Sequence, residues 1–176
     1  MFNFINLKKN ISIKLYNKIL LLSRNKLFYT QLSLKDTFQN RINLIFLHVS
    51  FLFIRIKNKK ENEMYKKYYQ EIFDIIFRNI ELNMREIGHG DVTVNKNMKF
   101  LVKDFYNILL NCENYSKKTL DEKNTFLLKY LRLNEPKIAI NSDDLVYYFD
   151  KYQAFCFDLS SDSVIKGDLN FTFNKK

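Results

Sequence analysis

The sequence predicts an all-α fold, a single compact multi-helix domain with a basic N-terminal helix and a partly irregular C-terminal tail. Three observations carry this. Only three glycines and one proline occur in 176 residues, too few for a β architecture, which needs turn residues every 8–12 positions or so. Apolar residues recur at three- and four-residue spacing over long stretches, the mark of helices with one buried face. Hydrophobic residues make up 47% and aromatics 16%, which excludes wholesale disorder and suits one domain with its own core.

Residues 10–27 read as the first helix, with Ile11, Leu15, Ile19 and Leu22 on one stripe. The polar stretch 33–37 follows, where Asp36 or Thr37 is placed to cap a helix over 37–57. The next helix, 64–87, has the clearest period. Tyr69, Ile72, Phe73, Ile76, Phe77, Ile80, Met84 and Ile87 share one face, with charged residues on the other. Gly88 is expected to end it in the left-handed conformation that favours glycine. A helix over 95–114 should turn Met98, Leu101, Val102, Phe105 and Leu109 inward. Another over 119–133 is closed by Glu135-Pro136, and Ser142-Asp143-Asp144 opens a last helix through Leu145, Tyr148, Phe149, Tyr152 and Phe155. The expected division is a basic segment 1–22, a helical domain 23–158 and a polar tail 159–176, the tail holding one alternating stretch at 169–173.

Charge is unevenly placed. The first 67 residues hold 14 bases and 3 acids, a net of +11, whereas the whole chain carries +10. Such a region fits an anionic surface, whether phospholipid headgroups, ribosomal RNA or an acidic protein. An ordinary solvated face produced by AT-rich coding fits equally well. No stretch spans a bilayer, because the longest apolar run, 42–54, makes a helix of about 20 Å against a hydrocarbon core of about 30 Å. The segment 11–22 is interrupted by Lys14 and Lys18 and reads as a helix able to lie on a membrane.

Catalytic and metal chemistry find little support. His48 and His89 are the only histidines, with no ligand-spaced partner set, and His48 on an apolar helix reads as a hydrogen-bonded core residue. Cys112 and Cys156 read as buried thiols. Gly88-x-Gly90 follows a helix rather than a strand, so it is no nucleotide loop. No cofactor, no metal, no catalytic residue and no small-molecule substrate is expected.

Two motif sets, in order, resemble the ubiquinol–cytochrome c chaperone family. The first is Ser23-Arg24, Phe28-Tyr29, Asp36-Thr37, Arg41, Leu47-His48 and Arg55. The second is Ile72-Phe73-Asp74, then Met84-Arg85-Glu86-Ile87-Gly88-His89-Gly90-Asp91-Val92-Thr93-Val94, then Lys96, Met98 and Phe105-Tyr106. The likeness covers about residues 20–135. His89, Asn40 and Asn107-Ile108 depart from the family pattern.

The resemblance implies a non-enzymatic helical chaperone that binds newly made cytochrome b and assists assembly of respiratory complex III. It implies a small partner chaperone, and work beside the ribosome and an anionic membrane surface. The short segment ahead of the motifs favours the bacterial cytoplasm, peripheral to the inner membrane, over the mitochondrial matrix side. The alternative is a basic ribosome- or RNA-associated helical protein acting near the membrane. On the residues themselves, Gly88 and Gly90 allow a sharp turn and Asp91 caps it. Arg85 and Lys96 either pair with Asp91 or bind a partner carboxylate. Asp36, Arg41, His48 and Arg55 form either a polar binding edge or an ordinary solvated face, since 41, 48 and 55 stand seven apart. Tyr29 and Tyr106 are either core or groove anchors, and Phe105 accompanies Tyr106.

Overall fold

The computed structural model describes residues 2–57, 63–134 and 143–173, and every regular element among them is helical. In chain order these are α1 (Phe2–Ser23), α2 (Leu27–Thr30), α3 (Phe38–Lys57), α4 (Glu63–Glu86), α5 (Asp91–Glu113), a 3-10 turn (Tyr115–Lys117), α6 (Leu120–Tyr130), α7 (Asp143–Asp158) and α8 (Ser161–Ile165). Extended pairing among the described residues is confined to an antiparallel bridge between Leu34 and Leu133. The turns at Glu135-Pro136 and Ser142 lie outside the described residues.

The core is organised around α3, which buries fifteen of its twenty residues. Such a helix cannot show a simple amphipathic stripe, because neighbours surround it. α1, α5 and α7 pack against it, and α4 closes the space between α1 and α5. Phe105 is fully buried in a cluster of rings with Phe46, Phe53, Phe73 and Phe77. Burying a side chain of this kind contributes about 1.5–3 kcal/mol.

Several expectations about the elements need correction. α5 begins at Asp91, four residues before the expected 95, so the α4–α5 connector is only Ile87–Gly90 in extent. Ile87 does not join the buried stripe of α4 and is 61% exposed. α6 ends at Tyr130, and 131–134 run extended to meet the α2–α3 loop. α6 starts on a capping box, with Thr119 Oγ1 accepting from Glu122 N–H and the Glu122 carboxylate accepting from Thr119 N–H.

The first helix and the tail also differ from expectation. From residue 11 onward α1 is an integral wall of the core, with Leu15 and Ile19 fully buried. Its apolar stripe faces α3 and α4 and is not available to a membrane. The tail after 158 is not simply polar, since Val164 and Leu169 are buried and Phe171 and Phe173 pack on the core. Leu169, Phe171 and Phe173 are the alternating stretch seen in the sequence, but three residues do not reveal whether another element covers them. Lys14 donates to the Asp168 carboxylate at 2.8 Å. Gly167 (φ +67) lies so near α1 that a Cβ would come within 3.1 Å of the Leu15 nitrogen.

Cys112 and Cys156 are both buried and free. Burial pushes both thiols well up, away from the reactive thiolate.

Candidate functional site

The α2–α3 loop brings together three of the motif residues. Ser33 takes a positive φ of 55° and turns the chain. Thr37, rather than Asp36, caps α3 by accepting from Asn40 N–H. Asp36 is thereby left to receive a two-pronged contact from Arg41, Nε to Oδ1 at 2.7 Å and Nη2 to Oδ2 at 2.8 Å. The guanidinium holds the Asp36 carboxyl below its usual range. Tyr29 stands beside this pair. Its hydroxyl is buried without a hydrogen bond of good geometry, and burial pushes it up, with the Asp36 charge adding to the effect.

The loop is held by a residue that stood out in the sequence only as a departure from the family pattern. Asn40 is fully buried. Its amide donates to the carbonyls of Lys35 and Arg132, each at 2.8 Å, and its oxygen accepts from Arg132 N–H. One side chain thus supplies the backbone partners that a bridge of one residue pair leaves over. Asn43 repeats the device, donating to the Tyr130 carbonyl. Two asparagines near the start of a largely apolar helix were the available signal.

The second motif set lies on the α4–α5 connector. Gly88 has φ +94, and the bonds Gly88 N–H to Arg85 O and His89 N–H to Met84 O close a Schellman turn. Gly90 is different from expectation. Its φ is −72 and a Cβ there would meet open space, so the backbone does not require glycine. Nor does Asp91 cap the turn. It is the first residue of α5, and its carboxylate accepts from Arg85, which also reaches Glu81 at 2.9 Å. Lys96 is exposed one turn on and makes no ion pair among the described residues.

Between these two sets lies a groove. The first turn of α3 contributes Phe38 and Gln39, the end of α4 contributes Met84 and the connector His89. α5 supplies Asn97, Phe100, Leu101 and Asp104. Phe38 and Phe100 are 37% and 58% exposed, so the groove offers apolar surface to solvent. Asp36 and Arg41 flank the α3 side by sequence adjacency, and Arg85 and Asp91 flank the connector side. Both motif sets therefore converge on one end of the bundle.

A family model described as Ubiquinol-cytochrome C chaperone matches residues 30–171. The chain belongs to that family. A solved structure described as the crystal structure of the Cbp3 homolog from Brucella abortus superposes with a TM-score of 0.82 at 24% identity. The match covers 98% of this chain and 94% of that one, and at that identity it speaks for the fold. No curated protein matches. Of the motif residues, Ser23, Arg24, Phe28 and Tyr29 stand before the stretch matched to the chaperone family and the others fall inside it.

The remaining motif residues of this chaperone-family chain are scattered. Arg41, His48 and Arg55 do not form a polar edge. His48 is fully buried halfway along α3. Its Nδ1 lies 2.6 Å from the Leu44 carbonyl, which can only accept, so Nδ1 carries the proton. Nε2 then accepts from the Tyr148 hydroxyl at 2.8 Å. Phe28, Phe149 and Tyr152 wall the ring in, and burial holds His48 down to about 4. Arg55 donates to the Leu159 carbonyl and fastens the tail instead. Seven-residue spacing fails here because the neighbours covering α3 change along its length. Tyr106 is 46% exposed on α5, its ring 6.0 Å from Phe73.

Among the described residues no cluster of three or more His, Cys, Asp and Glu is placed to hold a metal. No helix there is long and apolar enough to cross a membrane. The residues missed by the sequence reading are Phe38, Gln39, Asn97, Phe100 and Asp104, which line the groove. No sequence signal marked them, because Phe38 and Phe100 come together only when α3 and α5 pack.

Proposed function

We propose that this protein is a non-enzymatic chaperone that binds newly made cytochrome b and assists assembly of respiratory complex III. The observation that carries the reading is the family match over residues 30–171. The groove between α3, α4 and α5 supplies a physical place for it. A client segment released into water needs its apolar side chains covered until it is inserted, and Phe38, Met84, Phe100 and Leu101 offer that cover. The ion pairs Asp36–Arg41 and Arg85–Asp91 stand close in sequence to the groove residues Phe38, Met84 and His89 and are proposed to give its rim polar specificity. Nothing in this role calls for a cofactor or a small-molecule substrate.

A small partner chaperone, the ribosome and an anionic membrane surface complete the proposed setting. The proposed location is the bacterial cytoplasm, peripheral to the inner membrane. The test is a tagged pull-down from membranes solubilised in mild detergent, together with deletion of the gene. Co-purified cytochrome b and selective loss of complex III support the reading. Recovery of ribosomes or RNA without cytochrome b, with complex III at its normal level, overturns it.

A further inference from the structure

We propose that the outer face of α5 is a docking surface for an anionic lipid membrane. α5 turns Val94, Leu101, Phe105, Ile108 and Cys112 into the core. At about 100° per residue, Val92, Lys96, Lys99, Lys103 and Leu110 fall within about 40° of the opposite direction, and Tyr106 lies about 50° from it, on the side toward Phe73 of α4. All six are exposed, Val92 by 84% and Leu110 by 60%.

This face combines two features that seldom share one strip of free surface. The lysines make no ion pair among the described residues, and no acid lies on the same arc. Asp91 is engaged by Arg85, Glu113 by Lys57, and Asp104 points sideways into the α3–α4–α5 groove. Between and beyond the lysines stand a valine, a tyrosine and a leucine. A shallow groove lined by Asn95, Met98, Lys99 and Val102 extends the apolar surface along the shoulder of the helix.

Lipid is the occupant whose chemistry meets all of this. Lysine stems lie along apolar surface while the ammonium groups reach phosphate. Tyrosine suits the headgroup boundary, and valine and leucine at the two ends enter the acyl edge. The face is ~27 Å long and straight, as a helix lying in the membrane plane must be. An RNA backbone would use the lysines but leave Val92 and Leu110 in water.

The proposal deepens the reading of a chaperone working beside a membrane, but its test needs only the protein and vesicles. The full chain is sedimented with vesicles of phosphatidylcholine alone or mixed with phosphatidylglycerol. Binding is expected only to the mixed vesicles, and it should fall as salt rises. The triple variant Lys96→Gln/Lys99→Gln/Lys103→Gln should weaken binding on the order of 100-fold, at about fivefold per lysine. Leu110→Ser should weaken it about tenfold. Circular dichroism confirms that each variant keeps its helix content.

Absence of binding to mixed vesicles overturns the proposal. So does binding that survives the triple variant and is abolished by Lys8→Gln/Lys9→Gln/Lys26→Gln. Retention on RNA or an acidic protein without vesicle binding overturns it too. Loss of complex III on gene deletion, combined with no vesicle binding, would remove this surface and leave the chaperone reading standing. Vesicle binding with unchanged complex III would do the reverse.

Discussion

α1 and α5 are of similar length and both carry lysines along an amphipathic pattern, yet they stand in the molecule in opposite ways. In α1 the apolar stripe is spent inside, with Leu15 and Ile19 fully buried and Lys14 tied to Asp168. α5 fills the core with one face and still carries Val92, Tyr106 and Leu110 outside it, among lysines that make no ion pair among the described residues. Periodicity reveals that a helix has an apolar face. It does not reveal whether another element will cover it. Both helices keep a second, sparser apolar set, Ile13 and Leu21 on α1 and Val92 and Leu110 on α5, and what distinguishes α5 is the row of three exposed lysines that shares its outer face.

The largest expected effect breaks or confirms that contrast directly. Leu15→Ala should cost about 2–5 kcal/mol by urea denaturation, because a fully buried leucine leaves a cavity. Leu110→Ala should stay within about 0.5 kcal/mol. Equal costs would mean that α1 and α5 do not differ as described.

α3 supports both helices, and its buried His48 makes that support sensitive to pH. The unfolded histidine titrates near 6.5 and the folded one near 4. Between these values the unfolded state takes up a proton that the folded state refuses. Stability is therefore full above pH 6.5 and falls as pH drops toward 4, by an amount on the order of 3 kcal/mol. Asp36, Glu122 and Asp168, whose carboxyls are held low, lose their contribution at and below the carboxylate range. Melting temperature against pH should thus slope most between 6.5 and 4, and His48→Gln should flatten that window.

A smaller effect separates the two connector glycines that launch α5. Gly88→Ala should cost about 1–2 kcal/mol because φ +94 strains any side chain. Gly90→Ala should be close to neutral, with φ −72 and open space for a methyl group. Smallest of all, Arg85→Gln should change stability by no more than about 0.5 kcal/mol, since its partners Glu81 and Asp91 are 41% and 77% exposed. A chemical melt in low and high salt checks it, and the difference should vanish in high salt.

Helices with long regular periods were legible in the sequence. α3 starts within one residue of expectation and ends on it, and α4 starts and ends one residue early. Gly88 was legible because only one conformation closes such a turn cheaply. α2 was not, since four residues carry no period. The start of α5 was hidden because Asp91-Val92-Thr93 follows glycine and carries two β-branched residues with weak helix preference. Asp36 and Arg41 were legible as part of one polar group because they are near in sequence, whereas Tyr29 was read only as a core or groove anchor and joins them in the fold. The groove was not, because Phe38 and Phe100 meet only once α3 and α5 have packed. The stripe through 41, 48 and 55 misled because it assumed one covering neighbour where there are several.

Gly167 and Lys14 have a consequence for how the chain is made. The contact from Lys14 to Asp168 spans 154 positions, and Tyr68 closes the same seam by donating to the Val164 carbonyl. Contacts of such long sequence separation form late. During synthesis α1 emerges before residues 164–169, a part of its wall, and waits for them. A chain shortened at Asp158 should therefore show early cleavage in α1 under limited proteolysis. A protein proposed to shelter another newborn chain thus leaves its own α1 without part of its cover until residues 164–169 have emerged.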